Sequence, residues 1–195
     1  MSRPAPDVTG YPRDLEREIR LKDGAQARIR PIRADDQIRL MEFYDRLSQH
    51  TAYQRFFTLM RRLPPDWAKI LATVDYRRRL ALVAEHEGPG GIELVGVGRY
   101  EPTEREDTAE IAFVVQDGWQ NRGLGTILFR GILDAAQARG ISRFVAYVLA
   151  DNTRMLDLIQ RFTDIQRRTI EQGVAEIVFT PRAHRVKEGE GARTV

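Results

Sequence analysis

A predicted strand, a glycine-containing loop and a predicted helix follow one another in residues 107–139, and this succession constrains the fold more than any other stretch. Residues Thr108–Val115 are rich in β-branched and aromatic side chains, which favour a strand. Gly118 interrupts the pattern in the loop that follows. From Gly123 onward, apolar residues recur at steps of three and four, which predicts an amphipathic helix. They are Leu124, Ile127, Leu128, Ile132, Leu133 and Ala136.

The first turn of this helix carries the sequence Gln120-Asn121-Arg122-Gly123-Leu124-Gly125-Thr126, which we call the cradle. Backbone N–H groups at a helix N-terminus lack intrahelical partners and lie at the positive end of the helix dipole, so they favour an anion. Gly123 and Gly125 have no Cβ atom, so a phosphate can approach the main chain closely. The motif predicts a pyrophosphate site, although by itself it is equally compatible with an ordinary strand–helix connection. It is neither a P-loop nor a GxGxxG motif.

Composition argues against several other classes of protein. The sequence has no cysteine, and His50, His86 and His184 are widely spaced, so we expect neither disulfides nor a metal site. The net charge of +3 is small and evenly spread, which gives no reason to expect nucleic-acid binding. No apolar run is long enough to span a membrane, and the N-terminus has no signal-like apolar core. We therefore expect a cytoplasmic protein that does not bind membranes.

The order of the predicted elements indicates one mixed α/β domain over residues 11–180. Hairpins are predicted at both ends of the domain, and strands come with intervening helices between them. The predicted sheet is mostly antiparallel and is flanked by helices. Residues 1–10 are predicted to be a disordered tail, and the charged residues 181–195 a flexible one. A helix is predicted over residues 34–47, with an apolar stripe that includes Ile38, Met41 and Tyr44.

These motifs, in this order, resemble the GNAT superfamily of acyl-CoA-dependent N-acetyltransferases. The superfamily's pyrophosphate motif is Gln/Arg-x-x-Gly-x-Gly/Ala at a strand–helix junction, which corresponds to residues 120–125 here. A narrower resemblance, to the acetyltransferase domain of bacterial protein-lysine acetyltransferases, covers residues 11–179. It rests on short segments in the same order, among them Leu21-Lys22-Asp23-Gly24, Arg55-Phe56-Phe57, Ala109-Glu110-Ile111-Ala112-Phe113 and Val148-Leu149-Ala150-Asp151-Asn152.

The resemblance implies the GNAT acyl-CoA N-acyltransferase fold, with acetyl-CoA as co-substrate and no metal. It implies that the strand Thr108–Val115 bulges and splays from its neighbour, and that one of its backbone N–H groups bonds the thioester oxygen. It also implies that Asn152 contacts the pantetheine or pyrophosphate arm, although capping of the next helix is by itself a sufficient reason for this asparagine. The implied donor-binding residues are Val114, Val115, Gln120, Asn121, Arg122, Gly123, Leu124, Gly125, Thr126 and Asn152.

Glu110 is the candidate general base. Strict alternation places it on one face of its strand with Ala112 and Val114, and such an apolar setting raises the pKa of a carboxyl toward the working range of a base. The resemblance implies the same role, because the matching glutamate of the protein-lysine acetyltransferases is assigned deprotonation of the amine, usually through a water. The alternative is a solvated glutamate at the start of the strand, paired with a nearby arginine.

Two further groups of side chains lie in regions that the resemblance connects with the reaction. Arg55, Phe56 and Phe57 border the acceptor entrance in the resembling families, and we predict an apolar pair that locks the helix to the core beside a solvated arginine. Tyr147 is predicted to be a core residue with a satisfied hydroxyl. The tyrosine that often acts as general acid, in the helix after Asn152, is absent here, which leaves solvent or an unaided thiolate.

The motifs that bind the donor do not identify the acceptor. The narrower resemblance implies the ε-amine of an exposed lysine in a protein, attacked directly, and no cysteine is available for a covalent intermediate. One alternative is a small amine such as a polyamine, an amino-acid derivative or an aminoglycoside. Another is a non-catalytic acyl-CoA sensor that binds a partner protein. An open groove suits a protein acceptor, whereas a closed pocket with acidic walls suits a small amine.

Overall fold

The computed structural model describes residues 10–88 and 90–182. The two predicted tails lie outside these residues, apart from Gly10, Pro181 and Arg182. Within the described part of the chain, no helix is both long enough and apolar enough to cross a membrane. The strands are β1 Arg17–Arg20, β2 Gln26–Pro31, β3 Leu80–Gly88, β4 Gly91–Pro102, β5 Thr108–Val115, β6 Arg143–Leu149, β7 Thr163–Glu171 and β8 Val174–Pro181. The helices are α1 Gln37–Asp45, α2 Gln49–Phe56, α3 Pro65–Ala72, α4 Leu124–Gln137 and α5 Thr153–Phe162.

The strands form one eight-stranded sheet in the order β1-β2-β3-β4-β5-β6-β8-β7. Neighbouring strands are antiparallel except β5 and β6, which run parallel and are connected by α4. Apolar side chains of α4 and α5 pack on one face of the sheet, and those of α1, α2 and α3 pack on the other. This confirms the prediction of a mixed α/β fold with a mostly antiparallel sheet between helices.

Helix α4 packs closely on the sheet, with its predicted apolar face turned inward. Leu124, Leu128 and Ile132 are fully buried, and each side chain contributes about 2 kcal/mol of burial free energy. Two glycines of β4 make the close approach possible. A Cβ atom at Gly96 would lie 2.9 Å from Leu128, and one at Gly98 would lie 3.2 Å from Ile132. The position of α4 fixes where its N-terminus, and with it the cradle, meets the sheet.

Strands β5 and β6 pair only at their first residues. The parallel ladder joins Thr108, Ala109 and Glu110 to Arg143, Phe144 and Val145. The ladder ends there, while both strands continue. On its other edge β5 stays in unbroken register with β4, from Val115 to Ala109. The expected splay is therefore present, but the expected bulge in β5 is not. Backbone groups of β5 are left unpaired because β6 diverges, which needs no extra residue in β5.

The buried face of α1 differs from the predicted stripe. Leu40, Phe43 and Tyr44 are buried, whereas Ile38 is 68% exposed. A buried ion pair explains the rotation, because Asp36, just before α1, binds Arg30 of β2 with both oxygens at 2.7 Å. Positions 36, 40 and 43 lie on one side of a helical turn, so fixing Asp36 against the sheet turns Leu40 and Phe43 inward and Ile38 outward.

Candidate active site

A cleft of about 950 Å³ opens where β5 and β6 diverge. Side chains of α2 line one wall, and the N-terminal turns of α4 and α5 line the other. Glu110 and eight of the ten predicted donor-binding residues border this cleft: Val114, Val115, Gln120, Asn121, Gly123, Gly125, Thr126 and Asn152. Residues that lie far apart in the sequence are thus brought to one site. In the described part of the chain, no group of three or more His, Asp or Glu side chains is arranged to hold a metal ion.

The cradle has the backbone geometry of an anion site. Gly123 is the N-cap of α4 with φ +96°, and Asn121 also has a positive φ of +63°. The first bond of the helix runs from the Ile127 N–H to the Gly123 carbonyl, so the N–H groups of the preceding turn have no helical partner. A Cβ atom at Gly125 would have only Val115 nearby, at 3.9 Å, so the approach to this turn from the cleft is open.

Arg122 and Leu124 contribute their backbone to the cradle, because their side chains point elsewhere. The Arg122 guanidinium pairs with Asp23 at 2.9 Å and lies 5.2 Å from the ring centroid of Trp119. Leu124 is fully buried in the core under the sheet. Neither side chain borders the cleft. The resemblance implies that Arg122 binds the donor, and these contacts give no support for a role of its side-chain charge beside a pyrophosphate.

Lys22 is a cation of the cleft that the sequence did not reveal. Its side chain runs past the cradle, with its Cε 3.6 Å from where a Cβ of Gly123 would lie, and its backbone N–H bonds the Arg122 carbonyl at 3.3 Å. The ammonium has no ion-pair partner among the described residues, and it borders the cleft. In the sequence, Lys22 lies beside a predicted hairpin turn, and no local pattern indicates that it contacts the cradle one hundred positions later.

Gln120 connects three elements around the cleft through its side-chain amide. Its Nε2 donates to the Val115 carbonyl at 3.0 Å and to the Thr51 hydroxyl at 3.2 Å, and its Oε1 accepts from Arg154 at 2.7 Å. These contacts link β5, α2 and α5. The side chain is therefore engaged with protein groups. Its contribution to the site is to fix the relative positions of the loop, the strand end and two helices.

The diverging edge of β5 presents particular backbone groups to the cleft. The Gln116 N–H bonds the Val95 carbonyl of β4, and groups alternate along an antiparallel strand. The N–H and carbonyl groups of Val115 and Phe113 therefore point away from β4, toward the gap left by β6. The N–H and carbonyl groups of Val114 point toward β4. Consistent with this, the Val114 carbonyl oxygen would lie 3.6 Å from a Cβ atom placed on Gly96. Of the two predicted strand residues, Val115 thus presents the free amide.

Glu110 lies at the point where β5 and β6 separate, and its side chain is exposed to the cleft. Desolvation by the surrounding walls raises the pKa of its carboxyl, and Glu101 raises it further, while Arg55 and Arg99 oppose the rise. No ion pair to Glu110 is present among the described residues, so the alternative of a solvated glutamate paired with an arginine is supported by the exposed side chain and not by any pairing. The raised pKa agrees with the prediction from strand alternation.

Arg55 and Tyr147 depart from their predicted surroundings. Arg55 borders the cleft, and desolvation lowers the pKa of its guanidinium to about 10, so it is not the solvated arginine that we predicted. Phe56 packs on the core as expected, but Phe57 is 37% exposed with φ +55°. Tyr147 is 44% exposed at the cleft and is not a core residue, because it lies on the face of β6 that carries no packed helix.

The sequence and the fold are similar to those of known proteins. The model of the acetyltransferase (GNAT) family matches residues 38–163, more than half of the chain. The chain belongs to this family. It is therefore an acetyltransferase, and the GNAT fold that the resemblance implied is confirmed.

Relatives of this GNAT chain are found among bacterial acetyltransferases. An acetyltransferase of Pseudomonas aeruginosa is 33% identical over 138 residues, which cover 71% of this chain and 74% of the relative. Acetyltransferase Pat of Mycolicibacterium smegmatis is 29% identical over 143 residues, which cover 73% of this chain and 42% of Pat. The crystal structure of the GNAT domain of S. lividans PAT is 36% identical with a TM-score of 0.77, and the match covers 87% of this chain and 99% of that domain.

Asn152 has the capping role that was predicted for it in this GNAT domain. Its Oδ1 accepts the Met155 N–H at 3.2 Å at the start of α5, and the residue also borders the cleft. Capping and a contact with a bound molecule are therefore compatible. Helix α5 contains no tyrosine, and the tyrosine of the described residues that borders the cleft is Tyr147, which comes from β6.

Proposed function

We propose that this protein transfers the acetyl group of acetyl-CoA to the ε-amine of a lysine in a protein, by direct attack within a ternary complex. The observation that carries the proposal is the position of Glu110. Within residues 10–88 and 90–182 it has no ion-pair partner, its pKa is raised, and it lies where β5 and β6 separate, so one cleft joins it to the cradle. Support for a protein acceptor comes from the resemblance of the sequence to bacterial protein-lysine acetyltransferases, and the chain is also similar to Pat and to the S. lividans PAT domain.

The residues of the cradle end fit the pyrophosphate of acetyl-CoA. The free N–H groups of the first turn of α4 and the αL glycine at position 123 leave the main chain open to a phosphate. Lys22 supplies a positive charge beside them. In this proposal the gap between β5 and β6 takes the pantetheine arm, and the Val115 N–H donates to the thioester oxygen. Acetyl-CoA supplies the activated acetyl group, and Asn152 and Arg154 border the arm from α5.

Glu110 acts as the general base in this proposal. A lysine ammonium must lose a proton before its nitrogen can attack. A carboxylate whose pKa is raised is a stronger base than an ordinary glutamate, because its pKa lies closer to that of the ammonium. Glu110 takes the proton, directly or through a water. No covalent enzyme intermediate is required, and the chain has no cysteine to form one. Protonation of the departing thiolate is left to solvent or to the Tyr147 hydroxyl.

The shape and charge of the acceptor end favour a protein over a small polyamine. Tyr147 and Phe57 remain 44% and 37% exposed at the mouth of the cleft, so a polypeptide can reach Glu110 from solvent. A small polycation would need several free carboxylates. Glu101 is already bonded by Arg79 and Arg99. Besides Glu110, the carboxylates of the cleft with neither an ion pair nor a side-chain hydrogen bond in the described residues are Asp151 and Asp157, which come from α5 and the turn before it. These features match the open groove and not the closed acidic pocket.

The test is acetyl-CoA turnover in a bacterial lysate, read by lysine-acetylation mass spectrometry, for the wild type and Glu110→Gln. Glutamine keeps the shape of the side chain and removes the base. We expect site-specific acetylation that falls at least about a hundredfold in the variant, while the Kd for acetyl-CoA stays unchanged. Gly123→Asp serves as the matched control for spontaneous acetylation, because it places a negative charge in the cradle. Acetyl-CoA binding without any acetylated protein would overturn the proposal and direct the search to small amines and then to a sensor role.

A further inference from the structure

The guanidinium of Arg55 lies at the cleft without a hydrogen-bond or ion-pair partner among the described residues. Arg55 is in the last turn of α2 and borders the cleft on the side of Glu110. It makes no hydrogen bond and no ion pair with any residue that the structure describes, and its guanidinium carbon lies 4.9 Å from the ring centroid of the adjacent Phe56. A desolvated cation without a counter-ion is costly. Such an arginine is suited to bind an anion that arrives from outside.

The charges around Arg55 leave an excess of one positive charge. Three guanidinium groups, those of Arg55, Arg79 and Arg99, face two carboxylates, those of Glu101 and Glu110. Glu101 is bonded by both Arg79 and Arg99, so its charge is already shared. Desolvation, followed by repulsion from Arg99, lowers the pKa of Arg55, while Glu110 and Glu101 raise it only in part. An added carboxylate would neutralise the excess.

The location of Arg55 assigns this anion to the acceptor and not to the donor. The charged groups that influence Arg55 are those around Glu110, at the first residues of β5. The cradle lies beyond Val115, and Val115 is five residue steps along the extended strand from Glu110, a span of about 17 Å. Phosphate groups at the cradle are thus far from the Glu110 end of β5, whose charges act on Arg55. The opposite end of α2 is held to the cradle loop by Asp117, which fixes the direction in which Arg55 points.

We propose that Arg55 binds a carboxylate of the acceptor, so that the enzyme selects lysines that have an aspartate or glutamate side chain close by. This inference rests on the proposed function, because it assumes that a lysine amine is the nucleophile. A guanidinium matches the two oxygens of a carboxylate and binds them in one orientation. With the carboxylate at Arg55 and the amine at Glu110, the two charges of the acceptor meet opposite charges of the enzyme. Glu110 stays free to take the proton.

The structure also offers a simpler role, which the experiment has to separate from this one. Arg55 is the strongest of the charges that lower the pKa of Glu110, so it could act only by keeping that base ionised. In that case, replacing Arg55 would slow acetylation of every acceptor by the same factor and move the acidic limb of the pH profile upward. A carboxylate-binding role instead changes the ratio between acceptors with and without the acidic neighbour.

The test uses a library of peptides with one central lysine and randomised flanks, incubated with acetyl-CoA and the wild type, Arg55→Gln or Arg61→Gln. Arg61 is an exposed arginine in the loop after α2, so its variant removes the same charge outside the cleft. For the wild type and Arg61→Gln we expect kcat/KM about tenfold or more higher for peptides with Asp or Glu beside the lysine than for their Asn or Gln counterparts. Arg55→Gln should abolish this preference with unchanged acetyl-CoA affinity.

Each outcome supports or overturns carboxylate binding by Arg55. Equal rates for acidic and neutral peptides in the wild type would overturn the role of Arg55 and leave the lysine acetyltransferase in place. The same conclusion would follow if Arg55→Gln lowered kcat/KM by the same factor for acidic and for neutral peptides. If no lysine peptide is acetylated, the proposed function fails, and lysine is then compared with lysinamide, which differs by one carboxylate. Acetylation of lysine alone, lost in Arg55→Gln, would keep carboxylate binding for a small acceptor. If lysine and lysinamide are acetylated at the same rate, carboxylate binding by Arg55 is overturned as well.

Discussion

Asp117 accepts two hydrogen bonds from Ser48, one from its backbone N–H at 2.9 Å and one from its hydroxyl at 2.7 Å. The Thr51 hydroxyl adds a third at 2.7 Å. Asp117 lies in the turn that leads into the cradle, and Ser48 caps α2, so these bonds join the donor loop to the helix that carries Arg55. Desolvation alone would raise the pKa of Asp117, but the bonds from Ser48 and Thr51 outweigh it and lower the pKa.

We expect Asp117→Asn to loosen this connection. Asparagine loses the charge and places an amide donor against donor groups, which costs about 1 kcal/mol for bonds this exposed and lowers the melting temperature by about 3 °C. The acceptor KM should rise several-fold, since α2 forms the acceptor wall. Calorimetry and steady-state kinetics measure the two effects. Asp134→Asn, at an exposed position of α4, is the control and should change neither. A melting temperature that stays the same in Asp117→Asn would contradict a structural connection.

Gly123 and Gly140 form a matched pair for testing the cradle. Both have a positive φ, +96° and +86°, so an aspartate at either position carries similar backbone strain of about 1–2 kcal/mol. Gly123→Asp also adds a negative charge to the anion site, whereas Gly140 has open space around it at the other end of α4. We expect both variants to lose stability and only Gly123→Asp to lose acetyl-CoA binding in calorimetric titration. Equal affinities in the two variants would remove the cradle from the donor site.

Local sequence patterns were sufficient for the parts of the site that one element builds by itself. The strand Thr108–Val115 has the predicted bounds, the cradle follows it at the start of α4, and Asn152 caps α5. Each of these depends on residue types within a few positions of one another, namely β-branched side chains, glycines and a short amide. The setting of Glu110 also followed from alternation along one strand, because alternation determines which face a side chain shares.

The remaining features depend on contacts between distant segments, which periodicity cannot show. Lys22 meets the cradle only because the β1–β2 hairpin reaches the N-terminus of α4. Ile38 was assigned to the buried stripe of α1, yet the ion pair of Asp36 with Arg30 rotates the helix and exposes it. Tyr147 resembles a core residue in sequence, but its strand lies beside the open cleft. In each case a long-range contact decided where the side chain lies.

Replacing Lys22 tests which cation serves the donor. We expect Lys22→Gln to weaken acetyl-CoA binding about tenfold, the size of one charge-assisted contact with a phosphate, and to reduce the salt dependence of the Kd. Binding of S-acetylpantetheine, which has no pyrophosphate, should be unchanged. Lys69→Gln removes the same charge from an exposed position of α3 and is the control. If Arg122→Gln weakens acetyl-CoA binding more than Lys22→Gln does, the assignment of the donor cation to Lys22 is wrong.

The pH profile should report the ionisation of Glu110. A base works only when deprotonated, so kcat/KM should fall as the pH drops through the raised pKa of Glu110, which lies above the ordinary value for glutamate. The acidic limb should disappear in Glu110→Gln, along with most of the activity. Because desolvation raises this pKa, the ionised carboxylate does not stabilise the fold, and the variant should melt at the same temperature or higher. A lower melting temperature would indicate that Glu110 has a structural partner.

The Asp36–Arg30 pair makes a separate prediction about stability. Asp36 and Arg30 are 0% and 1% exposed, and Asp36 also accepts the Arg33 N–H at 2.8 Å. Burial alone would raise the pKa of Asp36, but the bonds from Arg30 and from the Arg33 N–H hold it below its usual value. Asp36→Asn leaves Arg30 buried with only Glu85 as counter-ion, so we expect a loss of about 3 kcal/mol in the free energy of unfolding at pH 7.

The sign of the pH dependence follows from the lowered pKa of Asp36. Its stabilisation is fully present above the unfolded pKa of about 4 and is lost as the pH falls toward the folded value, so the wild type and Asp36→Asn should converge in acid. Urea unfolding over this pH range measures the difference. Asp164→Asn, which breaks an exposed pair with Arg182, should cost no more than about 0.5 kcal/mol. A constant difference between the wild type and Asp36→Asn down to low pH would mean that packing, and not the charge of Asp36, stabilises this end of α1.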